Sequence, residues 1–385
     1  MKLKVLFLSA WYPSEKVPLS GIFIKEHAKA ASLHHEIGVM FIQPMSGEKA
    51  AKRYEMVEVM EDGLKTIRIR VYCHIGNRQI ERVIRLAGCL WSFQRLLKNG
   101  WRPDLIHGHE YGVGLPALLI GRRYGIPVLI SEHWSWFIQK RLTFGRRFVA
   151  KWVLNNADGV IAVSNHLREA MRSYGVKKPI SIVPNVVDTS IFFPVNNENS
   201  GQGRTKKILF VGRMSPEKGV RFLLEAIAIV WRNRQDFVLD IAGDGEQKEE
   251  LCAMAKMLGI EPAVHFLGFQ KKANVARAMQ SCDFLVQPSL WETFGIAPIE
   301  ALACGRPVVV SDIPGPRELI GPDMGLFVPP GDALSLAEAI SVMLDNHEQY
   351  SRKILADYVA DHFGYAVVGR LLDTTYRNLC DKRQA

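Results

Sequence analysis

Between residues 4 and 311, short runs rich in β-branched residues alternate with longer stretches of helical periodicity, in two series separated by one polar segment. The first series places strands at Lys4–Ala10, Ile37–Gln43, Asp104–His107, Pro127–Ser131, Gly159–Val163 and Ile180–Pro184. Helical stretches at Ile22–Leu33, Ile80–Lys98, Leu115–Tyr124 and Arg146–Asn155 lie between them. The segment Asn196-Asn-Glu-Asn-Ser-Gly-Gln-Gly203 has no apolar residue and reads as a linker. Alternation then restarts with strands at Lys207–Val211, Phe237–Ala242, Val264–Leu267, Asp283–Gln287 and Pro307–Ser311. Strands that alternate with helices build parallel sheets covered on both faces. At 385 residues the chain is too long for one ordinary core. Two α/β domains follow, 1–195 and 207–364, joined by 196–206, with a tail at 365–385. Sites in such sheets lie beyond the carboxyl ends of the strands.

Composition narrows the setting. No uncharged apolar run reaches the roughly 18 residues that span a bilayer. The run Val5–Trp11 is seven residues long and leads into Tyr-Pro-Ser-Glu-Lys without a small-residue cleavage site, which predicts no signal peptide. Six cysteines never form C-x-x-C, which argues against a disulfide framework or zinc knuckle and for a reducing, cytoplasmic compartment. The charge is uneven. Residues 1–195 hold 28 Lys and Arg against 15 Asp and Glu, a net of +13, while 196–385 hold 21 against 24, a net of −3. The first half therefore meets something anionic: a nucleic acid, an acidic lipid surface or a phosphorylated substrate.

Three loop-to-helix junctions offer the free amides that attract phosphate. The first is Pro18-Leu-Ser-Gly21-Ile-Phe, where Gly21 lets a ligand approach the backbone. The second is Phe210-Val-Gly-Arg-Met-Ser-Pro-Glu-Lys-Gly219, with Ser215 placed to cap and Pro216 at the first helical position. Arg213 and Lys218 flank this loop, either as solvated charges or as a clamp for a diphosphate. The third is Pro288-Ser-Leu-Trp-Glu292-Thr-Phe-Gly-Ile-Ala-Pro-Ile-Glu300-Ala-Leu-Ala-Cys-Gly305. Its helix is predicted to start near Gly295 and end at Gly305. Glu292 then stands at the helix mouth and Glu300 about a turn inside.

This third stretch resembles the E-x7-E motif of retaining glycosyltransferases of family four, the group 1 family, which have the GT-B fold. Further matches follow in order: Gly21, Asp104-Leu-Ile-His-Gly-His109, Ser131-Glu-His133, Pro184-Asn-Val-Val-Asp188, Val211–Gly219, Gly243-Asp-Gly245 and Phe266-Leu-Gly-Phe269. The chain departs in carrying a single Gly21 where many members have a glycine pair, and Val186 where Gly is usual. The resemblance implies two Rossmann-like domains facing across a cleft, the first binding acceptor and the second a nucleotide-diphospho-sugar. It also implies that 365–385 is a helix returning to the first domain. By the same resemblance, Arg213 and Lys218 hold the diphosphate, Glu300 the ribose hydroxyls, and backbone near Leu267–Phe269 the base. Glu292 and the amides of Phe294, Gly295 and Ile296 hold the transferred sugar and phosphate. Gly21 faces the phosphates across the cleft, and His133 contacts the sugar. The donor base is taken as uridine on family frequency, and the sugar as a hexose or N-acetylhexosamine.

His107 and His109 stand two apart and have metal-ligand chemistry, but no cysteine or paired carboxylate accompanies them. They read as structural or acceptor-side residues, and no metal cofactor is expected. No Asp-x-Asp occurs in the chain, and Asp244 in Gly-Asp-Gly reads as a turn residue. Positive charge concentrates in two stretches. One is a helix with Ile80, Val83, Ile84, Ala87, Leu90, Trp91 and Leu97 on its apolar face and Arg78, Arg82, Arg85, Arg95 and Lys98 off it. The other is Lys140–Lys151, where Arg141, Arg146 and Arg147 are candidates for acceptor or membrane contact. A packed helix with a solvated basic rim is the alternative for both. No nucleic-acid-binding module accompanies the charge. The leading expectation is a transferase acting on a glycolipid or cell-surface polysaccharide at the cytoplasmic membrane face. The alternatives are a soluble small-molecule acceptor and a catalytically silent nucleotide-sugar-binding protein.

Overall fold

The computed structural model of the protein describes residues 1–14, 17, 20–45, 54–72, 78–195 and 204–381, with the side chains of 44 and 78–82 not described. The expected linker 196–203, Pro18 and Leu19 ahead of Gly21, and the side chains of Arg78, Ile80 and Arg82 lie outside the described residues. The chain divides into two compact units, Met1–Val186 with Tyr365–Ala385, and Val187–Gly364.

In the first unit the order is β1 (Lys4–Ser9), α1 (Ile22–Ser32), β2 (Glu36–Met45), β3 (Tyr54–Glu61), β4 (Leu64–Tyr72) and α2 (Arg78–Lys98). It continues through β5 (Leu105–His109), α3 (Gly114–Tyr124), β6 (Val128–Glu132), α4 (Phe144–Asn156), β7 (Gly159–Ala162), α5 (Asn165–Ser173) and β8 (Ile180–Ile182). The eight strands lie in the order β3-β4-β2-β1-β5-β6-β7-β8, all parallel except the β3–β4 hairpin. β1, β5 and β6 are buried almost throughout, which is why they read as continuous Val/Ile/Leu runs rather than as alternating ones. The hairpin escaped the alternation reading, although Asp62-Gly63 between two strands is a strong two-residue turn signal and both residues have positive φ. α2 buries Ile84, Cys89, Phe93 and Leu96, whereas Val83 and Ala87, expected on its apolar face, are exposed.

The second unit contains β9 (Lys206–Val211), α6 (Val220–Trp231), β10 (Phe237–Ala242), α7 (Lys248–Met257), β11 (Val264–Gly268), α8 (Lys272–Ser281), β12 (Phe284–Gln287) and α9 (Ile296–Ala303). β13 (Val308–Ser311), α10 (Pro314–Leu319), β14 (Gly325–Val328), α11 (Ala333–Asn346) and α12 (Arg352–Phe363) complete it. Its six parallel strands run β11-β10-β9-β12-β13-β14, the doubly wound order in which the winding reverses between β9 and β12. The corresponding reversal in the first unit falls between β1 and β5.

Residues 187–195, which the sequence reading assigns to the first domain, pack with the second unit. Asp188 accepts from Lys272 at 3.3 Å, and Gln280 Nε2 donates to the carbonyls of Ile191 and Phe193. The chain's last helix, α13 (Tyr365–Asp381), belongs to the first unit, where it packs on α1 through Val368, Leu372 and Tyr376. Among the described residues no helix is long and apolar enough to cross a membrane.

Candidate active site

In the second unit the chemistry gathers where β9 and β12 end, at the reversal of the winding. Gly219 has φ +66°, and a Cβ on it would lie 2.0 Å from the Pro288 carbonyl oxygen. The loop leaving β9 can therefore lie against the loop leaving β12, and Leu290 N donates to Glu217 O at 2.8 Å across the two. This contact places Lys218 beside Glu292, with Nζ donating to Oε1 at 2.6 Å. Ser289 Oγ donates to the same oxygen at 2.9 Å and itself accepts from Gln287 Nε2 at 3.0 Å. Glu292 is thus largely buried and held from two sides. Sequence reasoning missed Ser289 and Gln287; the signal was Gln287-Pro-Ser289 standing three residues before the acid.

The junction after β9 differs from expectation. Pro216–Lys218 forms a separate 3₁₀ turn, Ser215 caps nothing with its side chain, and α6 starts only at Val220. The left-handed Gly219 separates the two. Arg213 is 69% exposed and pairs with Glu246 at 3.1 Å, not with Glu292. An exposed pair of this kind is worth little in water, so an anion can draw Arg213 away cheaply.

α9 begins where the third junction predicts. Its N-cap, Gly295, has φ +92° and no side chain caps the helix, so its opening amides and positive dipole end face outward from Phe294, Gly295 and Ile296. The Phe294 side chain is buried edge-on against Phe363 at 5.7 Å and contributes structure, leaving only its backbone for a ligand. Glu300 lies half-buried on α9 itself. Phe269 is exposed just beyond Gly268, whose carbonyl accepts from Gly243 N at 2.9 Å. Among the described residues, Ser215 Oγ, Gln287 Oε1 and Ser311 Oγ are buried without a partner just beyond or at the ends of β9, β12 and β13. Such atoms normally cost about 1–3 kcal/mol each and fit a surface meant to receive a polar ligand.

Two of the predicted residues lie together in the first unit. Gly21 has φ +65°, and a Cβ there would stand 2.4 Å from the Trp11 carbonyl oxygen, so only glycine lets the loop after β1 fold back over the start of α1. Two residues on, the Phe23 ring lies 4.5 Å from the ring of His133. The His133 amide donates to Glu132 Oε1 at 3.0 Å, and its Nε2 lies 3.2 Å from His109 Nδ1. The paired histidines of β5 separate in role. His107 is held between Tyr376 Oη at 2.8 Å and Ser131 Oγ at 2.7 Å, which makes it structural, while His109 meets His133.

His27 on α1, which sequence reasoning missed, completes the cluster and bonds the Pro184 carbonyl through Nε2 at 2.8 Å. Burial pushes all four imidazoles down, His27 to about 4, so the cluster is neutral at pH 7. Among the described residues His27, His109 and His133 are the one group of three whose nitrogens could converge on a metal ion, lying within 4.8 Å of one another. Beside them, burial raises Glu132 to about 7 against three backbone donors, and burial next to Glu132 also raises Glu110, at φ +73°, well above the usual carboxylate range. Arg146 stacks over Trp136 at 4.5 Å, Arg147 lies over Tyr174 at 5.3 Å, and Arg141 is exposed ahead of α4.

Comparison with known proteins agrees with this layout. Residues 30–191 match the model of Glycosyltransferase Family 4, and residues 194–358 match that of Glycosyl transferases group 1. Glycogen synthase of Mycobacterium tuberculosis is 26% identical over 374 residues, covering 92% of this chain and 89% of that protein. Alpha-monoglucosyldiacylglycerol synthase of Streptococcus pneumoniae is 28% identical over 297 residues, covering 71% and 67%. Among solved structures, sucrose-phosphate synthase of Thermosynechococcus elongatus superimposes with a TM-score of 0.81 at 22% identity, covering 99% of this chain and all of that one. HepE of Anabaena, solved with UDP and glucose, gives 0.74 at 19% identity, covering 98% and 100%. With both of its halves matched in order and both sheets wound as the motifs require, the chain belongs to the family four, group 1 glycosyltransferases.

Proposed function

We propose that the protein moves a hexosyl or N-acetylhexosaminyl group, with retention of anomeric configuration, from a UDP-sugar to a glycolipid or cell-surface polysaccharide acceptor. The observation that carries this reading is the Lys218–Glu292 pair at the uncapped start of α9. As the glycosidic bond breaks, negative charge gathers on the departing diphosphate. Arg213, Lys218 and the amides of Phe294, Gly295 and Ile296 favour that charge more in the transition state than in the ground state. Once phosphate claims Lys218, Glu292 is released to accept hydroxyls of the transferred sugar. Glu300 takes the ribose hydroxyls and backbone near Phe269 the base. By the family resemblance Gly21 is assigned to the phosphates and His133 to the sugar. The departing phosphate takes the acceptor's proton, so no protein base is required, and cationic side chains serve in place of a metal ion. Uridine is supported by the UDP complexes of HepE, a protein of the same fold. A lipid-borne acceptor on the cytoplasmic membrane face is supported by the net +13 of residues 1–195 and by the diacylglycerol named for one relative.

The test is a pair of variants. Glu292→Ala is expected to lower turnover by about 10²–10³ while UDP still raises the melting midpoint. Arg213→Ala combined with Lys218→Ala is expected to abolish that UDP-dependent shift. Turnover at wild-type rates in both variants would overturn the assignment. Turnover unaffected by EDTA is expected, and a requirement for added divalent ion would remove the metal-free part.

A further inference from the structure

The first unit carries an exposed apolar face away from the residues assigned to transfer. Phe144, Phe148 and Trp152 follow one another at four-residue spacing along α4, and all three are exposed, Phe144 at 89% and Phe148 at 66%. Such spacing sets them in one row on the helix. Leu115 and Leu119, also exposed, form a second row on α3. The two helices are tied at their ends. Arg122 Nη2 donates to Asn156 Oδ1 at 2.8 Å, and the Arg122 guanidinium lies 5.7 Å from the Trp152 ring centre. Large apolar groups left in water in adjacent rows mark an interaction surface rather than scattered exposure.

The charge around this face has one sign. Residues 111–157 contain seven Lys and Arg and a single acid, Glu132, which is buried. Arg147 and Lys151 stand exposed between the aromatic residues of α4. We propose that α3 and α4 form the face by which the first unit docks on an anionic lipid bilayer. Phe144, Phe148, Leu115 and Leu119 enter the headgroup–acyl boundary, and Trp152 sits at the headgroup level. Arg147, Lys151 and Arg123 meet lipid phosphate. Aliphatic Leu115, Leu119 and Val149 offer nothing to a phosphate backbone and gain from leaving water for acyl chains, which favours lipid as the occupant. α2, the other basic helix, turns Phe93 and Leu96 inward and serves as a packed helix with a basic rim. The inference deepens the lipid-borne-acceptor reading, on which it rests for the acceptor's location.

The experiment is co-sedimentation of the full chain with vesicles of phosphatidylcholine alone or with 30% phosphatidylglycerol, without donor, at low and high salt. Binding is expected only to the anionic vesicles and should weaken as salt rises. Phe144→Ser with Phe148→Ser is expected to lower partition at least about tenfold. Arg147→Gln with Lys151→Gln is expected to lower it about 25-fold, from about fivefold per cation. The UDP-dependent melting shift should be unchanged in all of these variants, which shows that they fold. Equal binding to neutral vesicles, or wild-type binding by the aromatic double variant, overturns the proposal. So does a self-association that this double variant abolishes without any vesicle binding, since a second copy then covers the face. In the wild-type protein, a UDP-dependent shift without binding to anionic vesicles fails the docking face alone, whereas vesicle binding without any UDP-dependent shift fails the transfer reading alone.

Discussion

Among the single residues His27 has the most exposed consequence for stability, because it is fully buried and carries its proton toward the Pro184 carbonyl. Its pKa falls from 6.5 to about 4 by burial, so the unfolded chain takes up a proton first as pH drops. The stability this residue contributes is complete above about pH 6.5 and is lost progressively toward pH 4. Glu132 acts in the opposite sense: raised to about 7, it withdraws stability as pH rises from 4.5 to 7. Replacing His27 by Gln, which can still donate to Pro184, isolates the imidazole. The acid-side loss of stability should shrink by up to about 3 kcal/mol at pH 4. Thermal melts across pH 4–7 read this directly, and identical slopes for the two proteins would refute it. His27 was not legible in the sequence, since a lone histidine inside a helix announces neither its burial nor its partners. Glu292 and Lys218 were legible as residues but not as a pair.

At the scale of elements, most helices and strands followed from local pattern; the β3–β4 hairpin, the short edge strand β14 and the start of α6 did not. The loop between β9 and α6 shows how one backbone conformation sets a site. Gly219 and Gly259 both have left-handed backbones, at φ +66° and +69°, but a Cβ on Gly259 would meet nothing within 4 Å. Gly259→Ala should therefore cost about 1–2 kcal/mol, the strain of the conformation alone. Gly219→Ala must in addition push the β9 loop off the Pro288 carbonyl. It is expected to cost at least about 2 kcal/mol more and to weaken UDP binding, because Lys218 moves with the loop. Melting midpoints and UDP titrations of the two variants check this; equal losses would show that close packing does not hold the loop. The Ser215–Pro216 pattern promised a helix start at that point, and the chain delivers a 3₁₀ turn because the left-handed glycine must come before the helix proper.

At the scale of the whole molecule the notable fact is that the last helix completes the first unit. α13 buries Val368, Leu372 and Tyr376, and the Tyr376 hydroxyl holds His107 269 residues away. Each such side chain contributes about 1.5–3 kcal/mol by burial, comparable in sum to the whole margin of a typical domain. Removing residues 365–385 should therefore unfold residues 1–186 while 187–364 keeps its protection. Hydrogen exchange resolved along the chain reads the two units separately, and full protection of 1–186 in the truncated protein would show that α13 is dispensable.

What the sequence determined by itself was the local grammar: two series of alternating strands and helices, the glycine-led helix starts at Gly21 and Gly295, and the acidic and basic residues around them. These depend on side chains within a few positions of one another, where periodicity and backbone preference act directly. Tertiary structure alone decided the rest. It drew Lys218 onto Glu292 across 74 residues and turned Arg213 to Glu246. It divided His107 from His109 and moved residues 187–195 into the second unit. It also left the aromatic row of α4 in water. Each of these outcomes depends on which strands become neighbours and which loops then touch, and no short stretch of chain carries that information.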